Sequence, residues 1–313
     1  MKVGVLQFFS WPERRVELRE VYLRAMQRVV TMDRTGYDAV WLAEHHFTTY
    51  SVCPSVHLMA LEVAHRTERL RVGTAVSLAA LYHPLRLAEE VALLDVLTAG
   101  RVNWGAGRGF ERLEFDNFGV PMNETAPRFR EAVDVVLAAW TQERLTYHGD
   151  FWHFDDVEVL PKPFQRPHPP TWVAATSPEA IAWAASRGHE ILMDPHATFA
   201  EIGAKYDSYC AAREVAGFPP PGDTPMARLV AVAETDAEAE EIARAGAQWT
   251  VASYIGGGTE EYVRDKIIWG SPARVRDELD RLREMMRLNY LMIAPLSHES
   301  FLRFTDDVLP HIG

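Results

Sequence analysis

Cysteine is almost absent: Cys53 and Cys210 are the only two in 313 residues. Two thiols build neither a disulfide framework nor a four-cysteine zinc site, and the scarcity suits a reducing compartment. Also missing is any run of the ~20 apolar residues that a bilayer span needs. The opening Met1-Lys2-Val3-Gly4-Val5-Leu6-Gln7-Phe8-Phe9 turns polar too soon for a signal peptide. Basic clusters are lacking as well. Lys and Arg total 32 against 44 Asp and Glu, a net charge of −12. A field of that sign repels phosphate backbones. The expectation is a cytoplasmic protein that contacts neither nucleic acid nor membrane. No nucleophile elbow, phosphate-loop lysine motif, EF-hand loop or His-Glu-x-x-His zinc helix occurs. His148, His153, His168 and His196 are too scattered to suggest a metal site, so none is expected.

What is present is a steady alternation. Short apolar runs at Val3–Phe9, Ala39–Ala43, Arg71–Leu78, Val102–Ala106, Thr171–Thr176, Glu190–Met193, Met226–Glu234 and Tyr290–Ala294 read as strands. Helical patterns lie between them, among them Pro54–His65 and Pro84–Ala99, the latter opened by proline and stopped at Gly100. Strands alternating with helices imply a parallel sheet. Eight units predict an α/β protein of the (β/α)8 TIM-barrel type, with residues 1–313 as a single domain and insertions after strands 4 and 7. The first insertion reads as a loop at Glu111–Pro127, a helix at Arg128–Trp140 and a hairpin at Leu145–Val159. A doubly wound sheet is the competing arrangement. It usually carries a glycine-rich phosphate loop after its first strand, and Phe8-Phe9-Ser10-Trp11-Pro12 is not one.

In a barrel, chemistry collects where strands end and the following loops begin. Glu44-His45-His46-Phe47 closes the second strand. Adjacent side chains of an extended segment point to opposite sides, so one histidine faces the axis and the other packs outward. The inward one suits acid/base work or a hydrogen bond to a cofactor; two packed histidines are the structural alternative. Trp104-Gly105-Ala106-Gly107-Arg108-Gly109-Phe110 ends the fourth strand. Its glycines let a ligand near the backbone or satisfy a tight turn, and Arg108 supplies fixed positive charge suited to a phosphate. After the fifth strand, Thr176 and Ser177 precede Pro178 and Glu179, which reads as a helix cap and equally as an anion site. Phe8, Phe47, Tyr82, Trp104 and Met193 lie at or near strand ends and read as an apolar pocket wall, or as ordinary core.

Taken with Val40–Thr48, the segments Arg71–Val76, His83–Glu90, Leu93–Arg101, Phe118-Gly119 and Gly270–Ala273 closely resemble the bacterial luciferase-like flavin monooxygenases. The motifs stand in family order from residue 1 to beyond 305. The resemblance implies reduced FMN held noncovalently at the barrel mouth, with His45 near the reactive part of the flavin. It implies a non-proline cis peptide at Ala75-Val76 beneath the ring, Arg108 on the phosphate, and Thr176, aided by Ser177, beside it. It further implies O2 and a largely apolar organic substrate, a separate flavin reductase, and a homodimer formed through the second and third helices. The luciferase α subunit has a cysteine where this chain has Gly107 and a glutamate where it has Ala175, so light emission is not implied. Two alternatives share the barrel: deazaflavin-dependent hydride transfer, and a noncatalytic flavin-binding subunit.

Overall fold

Helices and strands follow one another in an order set by caps and apolar spacing. The computed structural model describes residues 1–312; Gly313, the last residue of the expected domain, lies outside the described residues. In chain order the elements are β1 (Lys2–Gln7), α1 (Leu18–Arg34), β2 (Ala39–Leu42), α2 (Val56–Arg66), β3 (Arg71–Thr74), β4 (Ser77–Leu78), α3 (Pro84–Leu97) and β5 (Val102–Gly107). Then come α4 (Arg112–Phe118), α5 (Thr125–Thr141), β6 (Leu145–His148), β7 (His153–Val157), β8 (Thr171–Ala174), α6 (Pro178–Ser186), β9 (Glu190–Leu192) and α7 (Phe199–Val215). The chain ends with β10 (Pro225–Val232), α8 (Asp236–Thr250), α9 (Thr259–Lys266), β11 (Ile267–Gly270), α10 (Pro272–Met286), β12 (Tyr290–Pro295) and α11 (His298–Asp307).

The helix starts have local causes. The Ser55 side chain accepts from the Leu58 amide, and Thr198/Glu201 and Thr235/Glu238 form capping boxes at α7 and α8. Proline opens α3, as its sequence predicts, and Gly100, at φ +85°, follows its end.

Parallel strands pair in the order β10-β12-β1-β2-β3-β5-β8-β9, and a parallel bridge from Met193 to Met226 joins the last of these to the first. The result is an α/β fold with a strongly curled parallel sheet. Two apolar layers follow from the curl. Leu6, Trp41, Trp172, Leu229, Tyr290 and Met292 pack on its inner side. The larger layer lies between the strands and the helices. Trp41 is fully buried and donates its indole N–H to the Tyr290 hydroxyl at 3.0 Å. Gly73 makes room for it, since a Cβ there would overlap the Trp41 ring.

Two features depart from the sequence reading. The stretch read as a loop at 111–127 contains α4, whose Phe115 is buried, and β11 was not expected. β11 extends the sheet beyond β10 with Leu229 beside Ile267. Among the described residues, no helix is long and apolar enough to cross a membrane.

Candidate active site

The C-terminal ends of the inner strands open into a cleft. Its floor is apolar, from Leu6, Val76, Leu192, Met193, Ala227 and Met292.

His45 stands at one end, 8% exposed. Its Nδ1 lies 3.3 Å from Glu114 Oε1 and its Nε2 lies 3.3 Å from the Tyr254 hydroxyl. The backbone on either side is fixed: the His45 N–H donates to the Cys53 carbonyl at 3.2 Å, and the His46 N–H donates to Glu114 Oε1 at 2.9 Å. His46 points away from the cleft, as strand geometry requires, with Nε2 3.0 Å from Glu44 Oε1. Glu44 also accepts from the Leu78 amide at 3.2 Å and the Tyr82 hydroxyl at 2.9 Å, which ties the loop after β3 to the end of β2. Glu44 and Glu114 are both buried, so each carboxylate depends on these donors. Burial, reinforced by Glu114, pushes the Glu111 carboxyl above its ordinary range. Burial also pushes the His196 imidazole down to about 4. Cys53 has its thiol raised to about 12 by burial, which removes it as a nucleophile near neutrality.

The other end is cationic. Arg108 is exposed on the cleft wall and forms no ion pair among the described residues; its Nε donates to the neighbouring Gly109 carbonyl at 3.2 Å. Ser177 caps α6 by accepting from the Ala180 amide, and Thr176 sits exposed beside it. The positive end of the α6 dipole therefore faces the same space. Arg130 of α5 joins them, paired with Glu179 at 2.6 Å and lying over the Trp183 ring. Nothing local marks Arg130, because an arginine on an amphipathic helix reads as solvated surface.

Between the two ends, the Ala75-Val76 peptide is cis, and Val76 packs against Gly107 so closely that any side chain at 107 would collide with its methyls. Gly109 adopts φ +81°, a conformation that favours glycine. The glycines of this turn thus answer to chain packing and turn geometry.

Of the expected apolar wall, Phe8 and Met193 line the cleft. Phe47, Tyr82 and Trp104 do not. Phe47 is 58% exposed, with φ +58° directing it outward against Phe118 and His46. Tyr82 is engaged with Glu44. Trp104 shares the face of β5 that turns toward the helices, edge-on to Trp140 of α5 at 4.9 Å. The error there is one residue, and one residue reverses the face. Besides Arg130, sequence reasoning missed Glu114 and Tyr254: they lie on α4 and on the turn after α8, whose packing no local motif records.

Comparisons with known proteins bear on the family and the fold. The oxygenase component of the flavin-dependent trigonelline monooxygenase of Acinetobacter baylyi is 30% identical over 179 residues, 56% of this chain and 49% of that protein. The chain spans about half the length of the curated relatives it matches. Among solved structures, the monooxygenase RslO1 from Streptomyces bottropensis superposes with a TM-score of 0.91 at 26% identity, covering 100% of both chains. The oxygenating constituent of 3,6-diketocamphane monooxygenase of Pseudomonas putida, in complex with FMN, gives 0.85 at 18%, covering 100% and 99%. An F420-dependent secondary alcohol dehydrogenase gives 0.81 at 17%, again covering 100% and 99%. The last two likenesses concern the fold alone. The family model of the luciferase-like monooxygenases matches residues 1–287, and the chain belongs to that family.

Proposed function

We propose that this protein is an FMN-dependent monooxygenase, a single-domain (β/α)8 barrel with insertions after its fourth and seventh strands. Reduced FMN, delivered by a separate reductase, and O2 serve to oxygenate a largely apolar organic substrate. The observation that carries the reading is the polarity of one cleft: cations and a helix N-terminus at one end, an apolar floor, and a buried histidine at the other. The donor set fits the cofactor. Arg108, Arg130, Thr176, Ser177 and the first amides of α6 suit a dianionic phosphate, and Ala75, Val76 and the apolar floor suit a flat ring. When bound, reduced FMN supplies the two electrons that let one oxygen atom enter the substrate while the other leaves as water.

The chain's own tasks follow from its residues. Arg108 is free to bind, whereas Arg130 shares its charge with Glu179. Leu6, Phe8, Met193 and Met292 exclude water from the reacting face. His45, with Glu114 behind it, holds or moves a proton at Nε2, the nitrogen on the side away from the carboxylate. We further infer a homodimer through α2 and α3, where Leu58, Leu93, Val96 and Leu97 stand 42–72% exposed.

The test supplies the purified protein with FMN, a flavin reductase, NADH and O2, and follows flavin binding and oxygen uptake with candidate ketones and aldehydes. Substrate-dependent incorporation of one oxygen atom from labelled O2 supports the reading. The F420-dependent structural neighbour favours a second reading, hydride transfer to a deazaflavin. Tight deazaflavin binding with no use of O2 would establish it. FMN binding without turnover of any substrate would point to a noncatalytic subunit.

A further inference from the structure

We propose that Tyr254 is a positioning residue that holds His45 as the Nδ1–H tautomer, leaving Nε2 as its basic atom; this rests on the reading of His45 as the acid/base group. The carboxylate of Glu114 is an acceptor, already taking the His46 amide at 2.9 Å on the oxygen that lies 3.3 Å from His45 Nδ1. An ionised carboxylate beside Nδ1 requires the proton to sit there. Nε2 then carries the lone pair, and the only group within hydrogen-bond reach of it among the described residues is the Tyr254 hydroxyl, at 3.3 Å.

That hydroxyl is fit to donate. It is half-buried, with the carboxylates of Glu111, Glu114 and Asp194 nearby, and these surroundings keep the phenol protonated. The ring is held on several sides. It stacks on Tyr50 at 3.9 Å with planes 5° apart, and meets Phe110 and His196 edge-on or tilted at 5.1 and 5.3 Å. The backbone that aims it inward is a single π-helical turn, Val251–Ile255, following α8. Such turns are rare and concentrate at functional sites. A ring clamped this firmly, with its hydroxyl on the working nitrogen, fixes both the tilt and the protonation pattern of the imidazole. It also marks where a substrate oxygen would sit, since that oxygen must take over or share the same nitrogen.

The experiment reads the tautomer directly, without flavin. Histidine-15N-labelled protein is examined by long-range 1H–15N NMR at about pH 8, above the ordinary histidine range, and the His45 signals are assigned by their loss in His45→Gln. The expected result is a protonated Nδ1 and an unprotonated Nε2. An Nε2–H tautomer in the unaltered protein overturns the proposal and needs no variant. Tyr254→Phe keeps the ring stack and removes one donor. It should shift the His45 Nε2 signal and lower turnover about three- to tenfold, with FMN affinity unchanged. A variant whose His45 signals and turnover match the parent's overturns the proposal. Failure of the oxygenase reading would appear separately, as absent oxygen uptake in a protein whose tautomer is still the expected one.

Discussion

Replacing Arg108 with alanine tests the proposed phosphate contact apart from everything else in the cleft. The side chain is exposed, has no ion pair among the described residues, and bonds only its neighbour's carbonyl. Its loss should therefore leave stability within about 0.5 kcal/mol. A charge-assisted hydrogen bond contributes ~1.5–3 kcal/mol, so the FMN Kd should rise roughly 10- to 150-fold. The effect should shrink with added salt, because the partner is exposed. Arg130 provides the comparison. It is committed to Glu179 at 2.6 Å and to the Trp183 face, so part of what it offers a phosphate is offset by what it surrenders. Arg130→Ala should weaken FMN less than Arg108→Ala and destabilise the fold more. The assay is quenching of flavin fluorescence, with riboflavin as the control ligand. Riboflavin lacks the phosphate and should bind parent and Arg108→Ala alike. If Arg108→Ala weakens riboflavin as much as FMN, the arginine shapes the cleft and does not bind phosphate.

Other outcomes follow from the same geometry. His45→Ala should lower turnover roughly 10²- to 10⁴-fold with little change in FMN affinity, checked by steady-state oxygen uptake beside a binding titration. His46→Ala should instead lower the melting temperature, because it strips the buried Glu44 of its imidazole partner, a loss of about 1–3 kcal/mol. Burial, with Arg187 and Arg213 nearby, holds the His189 imidazole down to about 4, and its Nε2 is buried without a partner. The unfolded chain then binds more protons between about pH 6.5 and 4, so stability falls on acidification through that window, by up to ~3 kcal/mol from this group. Urea unfolding at both ends of the window should show a shallower decline in His189→Gln. Sedimentation should give twice the 35.4 kDa chain mass at micromolar concentration; Leu58→Glu and Leu97→Glu together should give the monomer.

Much of the frame was legible because local chemistry and global fold agree. Apolar runs bounded by caps and turn residues gave β1, β2, β3, β5, β8, β9, β10 and β12 of the curled sheet, and Pro84, Gly100, Ser177 and Pro178 placed helix ends correctly. β11 escaped because Ile267-Ile268-Trp269-Gly270 is short and lies directly against helix α9, with no turn to separate them. The site was legible where a strand end dictated it. His45, Arg108 and Thr176 all follow inner strands, and all three line the cleft. Trp104, Tyr82 and Phe47 show the limit of that rule. Large apolar side chains next to a strand end are equally suited to the helix-facing layer, a carboxylate partner or the surface.

What no local pattern could reveal is the pair of groups that converge on one imidazole. Glu114 comes from α4, in a stretch whose sequence resembles a loop, and Tyr254 from a turn more than 200 positions beyond His45. A carboxylate in a short helix reads as solvated surface, and a tyrosine before three glycines reads as the edge of a loop. Each becomes informative only when the fold removes it from water, because burial converts an ordinary polar side chain into one that must be partnered. Glu114 takes a backbone amide and a ring nitrogen, and Tyr254 takes the other nitrogen. The strand ends thus supply the histidine and the arginine-lined end of the cleft, while α4 and the turn after α8 supply the groups that meet the two ring nitrogens of that histidine. Under the proposed function, relatives that share the strands but differ in these two segments should bind flavin through the same strand ends and differ in the chemistry they direct at it.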